Sequence, residues 1–184
     1  KADRPRPEVL QRVHSASLAA MLAQADGRTA AAPLLASALA RGQASTGWWS
    51  YGIPGDGFEL SATQHAILGL GAARRGGADI DESVWSRHFD SLIRLQMPDG
   101  SWSYGGVVPM SYPTGTFMGL ANLLQTAGQV RPSEMFERCR DRALRALERD
   151  SGAVLDGFAQ GWLRDYFTLF AMERACVFLG VEQV

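Results

Sequence analysis

The chain has little of what most catalytic or interfacial functions advertise. Its only cysteines, Cys139 and Cys176, each sit inside an apolar helical pattern. A thiol there behaves as a small core hydrophobe and leaves the redox compartment open. Charge of neither sign dominates: 18 Lys and Arg against 19 Asp and Glu leave a net charge of −1. No electrostatic reason for a nucleic acid or an anionic membrane partner follows from that balance. Long hydrophobic runs are missing too. The longest uncharged apolar stretch, Ala30 to Ala40, contains Pro33 and falls well short of the roughly 20 residues of a membrane span. Residues 1–7 carry neither Met nor an apolar signal core, so they read as a lead-in at the cut end of a processed or longer chain, and they give no localisation. Neither a Gly-rich phosphate loop nor a Gly-x-Ser-x-Gly elbow occurs.

What is present is repetition. Leu39, Gln43, Gly47, Trp49, Ser50, Tyr51 and Gly52 match Leu92, Gln96, Gly100, Trp102, Ser103, Tyr104 and Gly105, every pair 53 positions apart. Seven identities at one offset mark a duplication. A second series, Ser17 to Ala20, Ile67 to Leu70, Phe117 to Leu120 and Phe167 to Phe170, recurs at steps of 50. These stretches predict four helices, each expected to stop at a left-handed glycine: Gly27, Gly76, Gly128 and Gly180.

The helices are of two kinds. Ala66 to Ala73 is apolar or small on all sides, which predicts an inner helix buried nearly all round. Trp85, Phe89, Leu92, Ile93 and Gln96, and likewise Phe136, Cys139, Ala143 and Leu147, recur at three-four spacing with Arg and Asp between them. That pattern predicts outer, one-sided helices. The expected fold is all-α: one domain over residues 8–184, in which about three and a half helical hairpins form a partial α/α toroid, a curved double layer of inner and outer helices.

The spacing Leu92-x3-Gln96-x3-Gly100-x-Trp102, with Arg87 five residues before Leu92, resembles the QW motif of squalene and hopene cyclases, on the toroid also used by prenyltransferases. Leu39-x3-Gln43-x3-Gly47-x-Trp49 is a second copy. The resemblance implies that Gln43, Gly47, Gln96 and Gly100, with Trp49 and Trp102, are structural: Gln satisfies helix-end groups of a neighbour, Gly permits a tight return and Trp stacks. The third unit departs from it, with Ser151 where Gln is expected and Gly161-Trp162 out of register.

In the cyclases an Asp-rich acid opens an inner helix. The matching stretch here is Glu59-Leu60-Ser61-Ala62-Thr63, and the Ser61 hydroxyl cannot supply that acid. Asp79-Ile80-Asp81-Glu82 resembles the acid motif but opens an outer helix, where Asp81 fits an N-cap and Glu82 the first turn. The prenyltransferase zinc set is not matched: His14, His65 and His88 lie on separate helices, and neither Cys follows an Asp two positions earlier. No metal or other cofactor is therefore expected.

On a toroid the starts of the inner helices face the cavity. Trp49, Tyr51, Asp56, Glu59, Gln64 and His65 gather there in one unit, Trp102, Tyr104, Tyr112 and Thr114 in the next, and Asp165 and Tyr166 in the last. An aromatic surface with a few polar groups suits an apolar, isoprenoid-like ligand or a partner protein, while the alternative roles are packing for the aromatics, capping for Asp56 and Asp165, and a hydrogen-bonded core position for His65. The function expected is thus a ligand- or partner-binding repeat domain without the family's acid. Rival expectations are a cyclase-like enzyme using Asp56 or Glu59 as acid, and a carbohydrate-active α/α barrel. A closed ring of six hairpins needs about 300 residues at this period, so completion by the rest of a longer chain or by a homo-oligomer partner is expected.

Overall fold

Small and apolar residues without a breaker run from Leu60 to Arg75, and in the computed structural model, which describes residues 7–55, 57–104, 113–130, 133–159 and 166–180, they form one helix. In chain order the α-helices among the described residues are α1 (Val13–Ala25), α2 (Ala32–Arg41), α3 (Leu60–Arg75), α4 (Glu82–Leu95), α5 (Pro113–Ala127), α6 (Glu134–Ala159) and α7 (Tyr166–Leu179). Only isolated bridges, Arg12 with Gly52 and Gln43 with Trp49, add extended pairing among these residues. None of the helices is long and apolar enough to cross a membrane. The fold class is all-α.

The chain divides into two compact units, Lys1–Ser91 and Leu92–Val184, and the division falls inside α4. In the first unit α1 packs on α3, and α2 packs on both. Gly69 makes the α1–α3 approach possible, because a Cβ there would lie 2.6 Å from the Ser17 Cα. In the second unit α5 packs on α7 and α6. α3 and α5 are buried over most of their length, as the run Ala66 to Ala73 predicts for its own helix. On α1 and α7, by contrast, Leu18 and Leu22, and Leu169 and Val177, are exposed.

Two expectations are corrected. The starts of α3, α5 and α7 are 53 residues apart, as the Gln and Trp motifs are, and not 50. Three residues is nearly one helical turn, so stretches of small residues align almost as well one turn out of step. The left-handed glycine after α3 is Gly77, φ +89°, and not Gly76, while Gly128 after α5 has no positive φ; Gly27 and Gly180 have it as expected. Where the third copy departs from the motif, α6 continues as one helix through Ser151, at the position where the chain turns after α2 and after α4.

Asp81 caps α4 as its sequence position predicts: the Ser83 N–H donates to its Oδ1 at 2.7 Å. Hydrogen bonding from Ser83, side chain first and then backbone, holds the Asp81 carboxyl below its ordinary range.

Candidate functional site

The two Gln–Gly–Trp elements fold into one pattern of bonds. After α2, the Gln43 Nε2 donates to Gly47 O at 3.3 Å and to Val84 O of α4 at 2.8 Å. After α4, the Gln96 Nε2 donates to Gly100 O at 2.9 Å and to Cys139 O of α6 at 2.7 Å. Trp49 Nε1 donates to Leu39 O at 2.7 Å, and Trp102 Nε1 to Leu92 O at 2.9 Å. Each element therefore closes the end of its own helix and ties it to a second one, α4 in the first copy and α6 in the second.

Glycine is required in both turns. Gly47 and Gly100 share φ +92°, and an added Cβ would stand 2.4 Å from Arg87 O and 2.2 Å from Arg142 O. Trp49 and Trp102 are fully buried. Thr63 of α3 holds the first loop, its Oγ1 accepting from Trp49 N at 3.1 Å, and Gly119 of α5 lies against the Trp102 ring. Arg87, read in sequence as the lead of the second motif, serves the first: its Nε and Nη2 donate to Gln43 Oε1 at 3.1 and 2.9 Å.

This frame sets out the start of α3. Glu59 is the N-cap, its Oε2 accepting from Ala62 N and, at 2.7 Å, from the Ser61 hydroxyl. Ser61 is thus a buried hydroxyl bonded to the helix cap. One turn on, His65 Nδ1 lies 2.9 Å from Ser61 O. Its ring is partly exposed, not in the core as expected, and its centroid is 4.2 Å from that of His14 on α1. Tyr51, half exposed, stacks on His14 at 5.3 Å. The bridge between Arg12 and Gly52, with Val13 N donating to Tyr51 O at 3.1 Å, brings that loop over α1. Burial lowers the His14 pKa, neighbouring His65 lowers it further, and Glu59 opposes both.

The other candidates are placed as follows. Gln64 is buried, and among the described residues its amide has no hydrogen-bond partner. Tyr104 is half-buried; Thr114 is too, and its Oγ1 meets that of Thr168 of α7. Asp56, Tyr112 and Asp165 lie outside the described residues, and Tyr166 opens α7 without a described side chain. Among the described residues, no group of three His, Cys, Asp or Glu side chains is arranged to hold a metal ion.

Sequence reasoning missed two features. His88 of α4 is the fully buried histidine: its Nδ1 lies 3.0 Å from Gly47 O, and its ring stands edge-on to Trp48 and Trp49 at 5.1 and 5.7 Å. Burial pushes its pKa down to about 4, so the imidazole is neutral at pH 7. The three-four pattern of α4 contains position 88, but a polar residue there does not announce itself as core. The His14–His65 pair was hidden for another reason: the two residues meet only through the α1–α3 packing.

No family model, curated protein or solved structure matches the chain.

Proposed function

We propose that this is a terpenoid-cyclase-like or prenyltransferase-like repeat domain, a partial α/α toroid, that binds an apolar, isoprenoid-like ligand at its inner-helix starts without the family's acid chemistry. The observation that carries the proposal is the doubled Gln–Gly–Trp fastening, with the same donors on the same kinds of acceptor in both copies. Support for binding in place of protonation comes from the start of α3, where Ser61 stands at the acid position and Glu59 serves as the cap. The half-exposed Tyr51 ring beside His14 and His65 offers an aromatic face for an alkene chain.

Titration of the full chain with cyclodextrin-solubilised squalene and geranylgeraniol tests it. Saturable binding weakened by Tyr51→Ala is expected. No saturable binding of either compound, with a protein partner occupying the same face instead, would replace the ligand with a partner.

The catalytic alternative has one observation in its favour, a carboxylate at the right helix start. Turnover of squalene that is lost in Glu59→Gln or Asp56→Asn would establish it.

A further inference from the structure

We propose that Trp48, Trp85 and His88 of the first unit hold one buried water molecule, which accepts from both indole N–H groups and donates to the His88 Nε2. The water site shares no residue with the aromatic face of Tyr51, His14 and His65.

The three side chains are brought together by the bonds between the Gly47 turn and α4. Trp85 and His88 stand three positions apart on α4, so their side chains lie on one face. The Trp48 ring stands edge-on to the His88 ring at 5.1 Å, and Phe58 packs against Trp48 at 4.4 Å. Trp85 and His88 are 0% exposed and Trp48 is 1% exposed. A site closed to this degree takes water and not a larger ligand.

The donors and acceptors fit one occupant. His88 Nδ1 lies 3.0 Å from Gly47 O. A carbonyl oxygen only accepts, so Nδ1 carries the proton and the Nε2 of the neutral ring is a bare acceptor. Among the described residues that Nε2 and the Nε1 atoms of Trp48 and Trp85 are buried without a hydrogen-bond partner, a destabilising arrangement for each atom. A hydroxyl or an amide finds a partner by turning about its last bond, but these atoms belong to rigid rings packed in place. The indoles of Trp49 and Trp102, by contrast, each donate to a carbonyl. Two donors and one acceptor are the complement of water, whose oxygen accepts from both indoles while one O–H donates to Nε2. A buried water typically makes about three such bonds.

The second copy does not carry these rings. Ser101 stands 53 positions after Trp48, and Arg140 and Ala143 stand 55 after Trp85 and His88. The same 55 separates Val84 from Cys139, whose carbonyls the two glutamines bond. The water is therefore a property of the first copy, not of the Gln–Gly–Trp frame.

Water-selective NOE and rotating-frame NMR spectra of the isotope-labelled full chain test this. Both indole protons are expected to show water contacts of opposite sign in the two spectra, as long-lived bound water gives and surface water does not. The His88 ring should be protonated at Nδ1 and bare at Nε2. In His88→Phe, which keeps a ring and removes the acceptor, the water contacts of both indoles should weaken or vanish. An indole proton of Trp48 or Trp85 without a long-lived water contact, a His88 ring protonated at Nε2, or contacts unchanged in His88→Phe would each overturn the proposal. The first two are read on the unsubstituted chain and decide the matter even if the variant does not fold.

Discussion

Around Gly47 the first fastening is closed by His88, Trp48 and the Ser91 hydroxyl, which donates to Thr46 O. Around Gly100 the second is closed by Arg142, donating to Met97 O at 2.6 Å, and by Arg149, donating to Asp99 O at 3.3 Å. Ser101 stands 53 positions after Trp48, and Ala143 stands 55 after His88, the spacing that also separates Arg87 from Arg142. One unit thus surrounds the Gln–Gly–Trp frame with buried rings, and the other with arginine and aspartate at the surface. All three histidines belong to the first unit. A hydrogen-bonded frame of a few residues tolerates either setting, because the parts that cannot vary are the glycine conformation and the donors on Gln and Trp. The setting decides how each copy responds to pH and salt.

The comparison breaks most visibly at the glycines. Gly47→Ala and Gly100→Ala should each cost about 3 kcal/mol or more, since a left-handed φ and a clash with a helix carbonyl add. Urea denaturation would measure both losses. If one glycine tolerates alanine, the two turns are not equivalent.

Acid should separate the units next. His88 is neutral and buried in the folded chain, with a value of about 4 against the ordinary 6.5. The unfolded chain therefore gains a proton first as pH falls. Stability held in full above pH 6.5 is lost progressively down to about pH 4, by roughly 3 kcal/mol in all. Amides of α3 should lose protection over this range more than those of α5, and His88→Phe should flatten the difference.

Salt gives the smallest effect, on the other unit. Arg149 and Asp99 lie 3.7 Å apart with both side chains well exposed, a geometry that high ionic strength screens. Arg149→Ala should weaken the second unit slightly at low salt and not at all in 1 M salt, as read by the shift in its denaturation midpoint.

The frame was legible in the sequence because each of its residues has one job at a fixed spacing: a donor at Gln43 and Gln96, a left-handed turn at Gly47 and Gly100, an indole N–H at Trp49 and Trp102. The register of α3, α5 and α7 was less legible, because alanine, glycine and leucine repeat within a helix and allow an alignment one turn off. Arg87 was misassigned because its partner Gln43 lies on the preceding helix end, across a seam that spacing along one helix does not reveal. The candidate site was legible in part. Glu59, Ser61 and Tyr51 fall where the repeat places a helix start, but His14 joins them only because the Arg12–Gly52 bridge and the Gly69–Ser17 approach fold two distant segments together.

The equivalence of the two fastenings is tested most directly by equilibrium unfolding of Gln43→Ala and Gln96→Ala in the full chain. Each substitution removes a donor to two carbonyls, and each should cost about 1–2 kcal/mol, with the loss of protection centred on α4 for the first and α6 for the second. Unchanged stability in either variant would contradict the claim that the repeat is held by these bonds.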